Sequence, residues 1–179
     1  ARMDPADAIY AGFADLFIPE NLWDDTINSV AQGGPDELHR NATDPTKSML
    51  RFHHDAIDAL FGAGTLAEIA KNLRASDTEF AAQSLKALSR NSPLSMASAL
   101  ILLENVRNTP TIRAALSQEY RFTARATEHG DFIEGIRAAI IDKDRKPVWK
   151  HGLSDISSDS AAAMMAPLGA LELTWKDAT

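Results

Sequence analysis

The chain has 179 residues, 45% of them hydrophobic, with a formal net charge of −7 and no cysteine. That length supports a core of its own, the acidic balance excludes a general nucleic-acid binder, which needs a basic face to displace counterions, and the missing thiols exclude disulfides, a cysteine nucleophile and thiolate metal sites. The longest aliphatic run, residues 99–103, is far short of a bilayer span, so a soluble protein with no membrane partner is expected, in a reducing, cytoplasmic setting.

Asp4 and Pro5 predict a helix start, with a capping oxygen followed by a proline whose missing N–H costs nothing in the first turn. Leu16, Phe17 and Ile18, closed by Pro19, read as extended, giving at most a short strand near residues 15–18. A second helix is expected from about Asn21, with Leu22, Trp23, Ile27 and Val30 inward. So short a strand has no ladder partner in the sequence. Residues 1–32 therefore read as the trailing edge of a larger core, and a chain that opens on Ala1 as part of something longer. The double glycine of the QGGP run is expected to end a helix and not to cradle an anion, because Pro35 lacks the donor an oxyanion would need. Residues 33–64 complete a linker and one long helix, opened by Asp44 and Pro45, with Met49, Phe52, Ala56, Ile57 and Leu60 on its inner face. His54 and Asp58 are four apart on it but lack a third ligand, so no metal site is expected.

Residues 65–150 read as a helical region. Thr65 with Glu68, Ser76 with Glu79 and Asp131 with Glu134 have the spacing of capping boxes. The helix opened by Ser92 and Pro93 is apolar nearly all round at Leu100, Ile101, Leu102 and Leu103, and is expected to be the most buried. The next, after Thr109 and Pro110, should turn Ile112, Ala115, Leu116 and Thr123 inward and Arg113, Gln118, Arg121 and Arg125 outward. In residues 131–149 the spacing of Ile133, Ile136, Ile140 and Ile141 predicts a helix against a core, followed by a charged turn through Asp142, Lys143, Asp144, Arg145 and Lys146. Residues 151–179 form a tail, with a short helix expected at residues 161–166 and an extended piece at residues 171–175.

There is no G-x-S-x-G elbow, no Walker loop and no G-x-G-x-x-G, so neither a serine nucleophile nor a glycine cradle for nucleotides is supported. Paired acids such as Asp142 and Asp144 read as solvated charge. The one concentration of positive charge is Lys143, Arg145, Lys146, Lys150 and His151 around Pro147 and Trp149. Such a cluster can meet phosphates while the indole offers an aromatic face, or can be a solvated turn anchored by one aromatic.

The run from Glu134 to Ala138, the residues Ile141 to Asp144, and Pro147 to Trp149 resemble the EG-x-RA…IDKD-x-x-P-x-W pattern of 3-hydroxyisobutyryl-CoA hydrolases, a branch of the crotonase (enoyl-CoA hydratase/isomerase) superfamily. Ser92 to Ser95, Glu119 to Arg121, Gly130 to Phe132, and the junction from Ala11 through Pro19 are similar to other stretches of that branch. The resemblance implies the mainly α C-terminal portion of a crotonase-like α/β fold. It implies hydrolysis of a β-hydroxyacyl-CoA in valine breakdown, with acyl-CoA as substrate, no separate cofactor and no metal. It further implies that the oxyanion-hole and catalytic-acid motifs belong to an N-terminal half outside this sequence, so no catalytic residue is assigned. Phe132, Arg137, Lys143 and Lys146 are the candidate contributors to CoA binding, and a homo-oligomer is expected. The alternatives are an enoyl-CoA hydratase/isomerase portion, a non-catalytic helical interaction module, or one subunit of a split enzyme.

Overall fold

The computed structural model describes residues 3–175, and all of its regular structure among them is helical. The chain divides into two compact units at Ala59 and Leu60.

In the first unit, Asp4 caps α1 (Pro5–Tyr10), accepting from the Asp7 N–H at 2.8 Å. Residues 16–18 form no strand; the Phe17 carbonyl takes a single backbone bond, from Thr43 N–H at 3.0 Å. In α2 (Trp23–Gly33) the buried residue is Thr26, held by the Leu22 carbonyl and by Asn41, whereas Trp23 and Ile27 are exposed. The helix ends where Gly34 takes φ 87°, a conformation that glycine adopts without steric cost. The long helix expected from Asp44 is in fact two. α3 (Met49–Phe52) begins at the Ser48 cap, and α4 (His54–Phe61) restarts after His53 leaves helical geometry at ψ 10°. The start of α3 is fixed by Asp7, only 6% exposed, whose Oδ1 accepts from Ser48 Oγ at 2.8 Å and from Leu50 N–H at 2.9 Å. Those two bonds, the Leu50 N–H first, hold the Asp7 carboxyl below its ordinary range. His54 bonds Tyr10 Oη at 2.8 Å and lies 3.4 Å from Asp58.

In the second unit, Thr65 caps α5 (Leu66–Ala75), its Oγ1 accepting from Glu68 N–H and donating to Glu68 Oε2. Such a cap is worth about 1 kcal/mol. The cap of α6 (Glu79–Leu88) is Thr78 and not Ser76; the Ser76 hydroxyl bonds that of Thr78 instead, and the helix starts two residues later than the spacing suggested. Ile69, Leu73 and Ala81 form the buried cluster here, with Phe61, Leu85 and Leu100 packed on it. α5, with Leu66, Ile69, Ala70 and Leu73 all buried, is thus the best-buried helix, while α7 (Pro93–Asn108) buries only its first turns and leaves Leu103 exposed. Burial of a side chain such as Leu73 contributes about 2 kcal/mol.

α8 (Ile112–Ala126) inverts its expected faces. Ile112 and Leu116 are exposed, whereas Arg121 pairs with Glu172 at 2.7 Å and Arg125 donates to the Met164 and Pro167 carbonyls. Those two arginines bind the tail, where α10 (Ser158–Met165) packs on α7 and α8 with Ala161, Met164 and Met165 buried. After a short 3₁₀ turn, Gly169–Leu171, the chain runs on without regular structure to Trp175. Glu172 has its carboxyl lowered, first by the Leu168 N–H and then by Arg121.

Candidate functional site

Residues 131–151 are organised by one guanidinium. Glu134 lies in α9 (Phe132–Ile136) and Arg137 three residues on, so the two side chains share a helix face. Arg137 Nε donates to Glu134 Oε2 at 2.8 Å and Nη2 to Oε1 at 2.7 Å, a two-pronged carboxylate pair. Nη1 donates to Asp142 Oδ2 at 2.6 Å and Asp144 Oδ2 at 2.9 Å, and Nη2 also reaches the Lys146 carbonyl at 3.1 Å. The helix widens to a π turn, Arg137–Ile141, and Asp142 N–H donates to the Arg137 carbonyl at 2.8 Å. This widening redirects the chain so that the acids of the turn come back onto Arg137.

The knot closes a strained loop. Lys143 and Arg145 stand at φ 57° and 55°, a left-handed conformation costing non-glycine residues on the order of 1 kcal/mol each. Backbone bonds fix them: Arg145 N–H to the Ala138 carbonyl at 3.0 Å, Lys146 N–H to Asp144 Oδ1 at 2.8 Å, and Val148 N–H to Glu134 Oε1 at 2.7 Å. Arg137, and then the Val148 N–H, hold the Glu134 carboxyl down from 4.5 to about 2. Arg137 and the Lys146 N–H likewise lower Asp144, and the bonds to Glu134, Asp144 and Asp142 raise Arg137. Glu134, Asp144 and Arg137 are all ionised at neutral pH, which suits a structural clamp and not a proton-transfer pair.

Asp131 does not form the expected capping box. Its side chain makes no cap bond; 5% exposed, it accepts from Ser92 Oγ at 2.6 Å and from Lys150 N–H at 3.2 Å. A partner 39 residues away competes successfully for the carboxylate, and Glu134 is already taken by Arg137. The latch brings the start of α7 and residues 147–150 together beside Gly135, where the Trp149 ring lies 3.7 Å from the place a Cβ would occupy. Trp149 Nε1 is buried without a hydrogen-bond partner among the described residues.

Two cavities flank Trp149. One, of about 580 Å³, is lined by Arg90, Ser92, Ala138, Arg145 and Trp149, among others. Its neighbour, about 270 Å³, is lined by Phe122, Phe132, Ile136, Ile140 and Trp149. The predicted site residues are thereby separated. Phe132 borders the smaller cavity and Arg137 is bound within the knot; Lys143 and Lys146 are exposed on the turn and line neither. Lys150 Nζ donates to the His129 carbonyl, and His151 lines a third cavity with Arg125 and His129. Sequence reasoning missed Arg90 and the Ser92–Asp131 latch, since nothing local marks residues 39 or more positions apart as neighbours. Ile133, Ile140 and Ile141, expected against a core, are instead exposed. Among the described residues no three potential ligands gather into a metal site, and no helix is long and apolar enough to cross a membrane.

Residues 1–165 match the family described as enoyl-CoA hydratase/isomerase. The mitochondrial 3-hydroxyisobutyryl-CoA hydrolase of Rattus norvegicus is 37% identical over 125 residues, covering 69% of this chain and 32% of the relative. That of Mus musculus is 34% identical over 139 residues, covering 76% and 36%. Among solved structures, an enoyl-CoA hydratase from Rhodobacter sphaeroides 2.4.1 superposes with a TM-score of 0.86 at 48% identity, over 98% of this chain and 51% of that one. A carnitinyl-CoA dehydratase from Mycobacterium thermoresistibile gives 0.88 at 29%, over 99% and 52%. The chain spans about a third of the length of the curated relatives and about half that of the solved structures. On the family match over residues 1–165, and on the helical arrangement shared with those structures, the chain belongs to the enoyl-CoA hydratase/isomerase family of the crotonase superfamily.

Proposed function

We propose that this chain is the helical portion of a 3-hydroxyisobutyryl-CoA hydrolase. The observation that carries the reading is the knot. The glutamate and arginine of EG-x-RA and both aspartates of IDKD, the residues that resemble the hydrolase branch, are bonded to one another as a single device. A motif whose members all touch is explained by one requirement, the shape of the turn. In the reaction a water oxygen bonds to the thioester carbonyl carbon, the C–S bond breaks, and the departing sulfur takes a proton to give CoA thiol and the free hydroxy acid. The oxyanion donors and the water-activating acid come, in this reading, from residues outside this sequence.

The roles of the four candidate residues follow from where they stand. Lys143 and Lys146 project from the turn and suit phosphate oxygens; Phe132 borders an apolar cavity and suits the acyl or pantetheine chain; Arg137 acts through the turn it holds. The exposed apolar residues of α8 and of residues 132–141 are the surfaces on which contacts with the rest of the enzyme, or with further copies of it, are proposed.

The 48% identity to a structure described as an enoyl-CoA hydratase favours a second reading, hydration of an enoyl-CoA. Assays on the intact protein separate the two. With 3-hydroxyisobutyryl-CoA, thiol is released by the intact protein and not by the 179-residue chain alone. Loss of the conjugated absorbance of crotonyl-CoA without thiol release from either ester would replace the hydrolase with the hydratase, and turnover by the 179-residue chain would overturn the assignment of its catalytic groups elsewhere.

A further inference from the structure

We propose that the cavity between the first turn of α7, the C-terminal end of α8 and α10 is a binding site for a small aliphatic carboxylate, held by His129, His151 and Arg125. The space measures about 360 Å³, within the range of small-molecule sites, and no residue of the 132–149 segment lines it. Two of the chain's five histidines meet there beside an arginine, and no acid lines the space.

Arg125 is hydrogen-bonded there but not neutralised. Its Nη1 donates to the Arg121 and Met164 carbonyls, both at 3.4 Å, and its Nη2 to the Pro167 carbonyl at 3.1 Å, all uncharged acceptors. The acid that acts on it, Glu172, is taken by Arg121 and by the Leu168 N–H. The His129 ring has Glu128 3.8 Å away, a long contact between two well-exposed side chains that water screens. The His151 ring has no bonded partner among the described residues, and Lys150 adds a cation beside it, Nζ donating to the His129 carbonyl at 3.3 Å. The remaining elements supply no counter-charge: Asp131 is bonded to Ser92 and the Lys150 N–H, the first turn of α7 carries no acid, and α10 lines the space with Ser160 and not with Asp159. On a chain of net charge −7, a concave surface with this lining concentrates an anion from outside. The same neighbours disfavour a divalent metal, because the guanidinium repels it and no third ligand gathers among the described residues.

The other walls decide the class of anion. Both Nη groups of Arg125 are occupied by carbonyls, so a two-pronged grip on phosphate is unavailable. What remains is one charge and two single-donor rings, which suit the two oxygens of a carboxylate. Leu94 and Met164, both buried, form the apolar side, and a thioether adapts readily to an aliphatic body.

The test is calorimetric titration of the intact protein with hexanoate, hexanamide and acetate at about pH 8 and about pH 5.5, the span over which histidines take up a proton. Hexanoate stays ionised throughout, so it should bind about tenfold tighter at the lower pH, with hexanamide and acetate much weaker. His129→Gln and His151→Gln should each weaken hexanoate roughly fivefold at the lower pH, and the double variant should lose the pH dependence. His151→Arg, charged at both pH values, should raise the affinity at the higher one, a gain that loss of fold cannot produce. Arg125 is left intact because it also holds the tail. Affinity independent of pH, or hexanamide binding as well as hexanoate, overturns the proposal. So does unchanged affinity in the double variant, which would place the carboxylate in another cavity, and acetate binding as tightly as hexanoate overturns the aliphatic class. No turnover is measured, so failure here leaves the proposed hydrolysis untouched.

Discussion

The α5–α6 core and the turn at residues 131–150 solve the same problem, fixing a chain in one conformation, with opposite chemistry. At α5 the work is done by apolar side chains: Ile69, Leu73 and Ala81 exclude water, and their neighbours in the cluster are aliphatic or aromatic. At the turn one arginine, three carboxylates and several backbone N–H groups are bonded into a web, while Ile133, Ile140, Ile141 and Val148 are left facing outward. The difference teaches what each device can specify. Apolar burial is strong but non-directional, so it holds helices whose shape is already set by their own hydrogen bonds. A π turn followed by two left-handed residues has no such internal ladder, and it needs directional bonds from a group with five fixed donors.

The contrast can be broken at three points. The largest effect is expected at Leu73, 1% exposed: Leu73→Ala should cost about 3 kcal/mol of unfolding free energy, measured by denaturant titration, through lost transfer energy and the cavity left behind. A loss below about 1 kcal/mol would mean that the α5 cluster does not support the second unit.

Second comes the knot, where the comparison is sharpened by pH. The Glu134 carboxyl is depressed from 4.5 to about 2 in the folded chain, so the unfolded chain binds more protons between those values. Its contribution is complete above about pH 4.5 and is lost as pH falls toward 2. Arg137→Gln should lower the thermal midpoint by several degrees at pH 7 and flatten its fall between pH 4.5 and 2, whereas Leu73→Ala should shift the midpoint without changing that slope. Equal slopes in wild type and Arg137→Gln would remove the knot from the acid response.

The smallest effect belongs to the outward isoleucines. Ile141→Ser, at a residue 69% exposed, should change the stability of the 179-residue chain by no more than about 0.5 kcal/mol in chemical denaturation. A cost comparable to that of Leu73 would show that this face is packed after all and that the two regions differ less than described.

Much of the helical arrangement was legible in order along the chain. Caps at Asp4, Thr65 and Ser92 stand where the residue types call for them, because a cap is a bond between a side chain and a backbone N–H three residues away, whereas α8 is capped by Thr111 and not opened at Thr109 and Pro110 as expected. Helices α5 to α8 and a short helix in the tail follow for the same reason. The family was legible too, since EG-x-RA and IDKD lie within eleven residues of each other. Faces were not. Periodicity found apolar stripes on α2, α8 and residues 132–141 but had no means of saying whether anything in this chain covers them, and Ile27, Ile112 and Ile140 are exposed. Nor could it foresee that the outward arginines Arg121 and Arg125 would bind the tail.

At the candidate site the division is the same. By itself the sequence determined that residues 142–151 are basic, acidic and aromatic in close alternation, and which family they resemble. Only the tertiary structure decided what each charge does: Arg137 is bound within the turn, Asp131 is drawn away from its helix by Ser92, Lys150 turns to a carbonyl, and Arg145 meets Arg90 across a cavity. The reason is range. Caps and periodicity are short-range bonds that sequence spacing encodes directly, whereas the choice among several carboxylates and several cations is made by which of them the fold brings within hydrogen-bond distance.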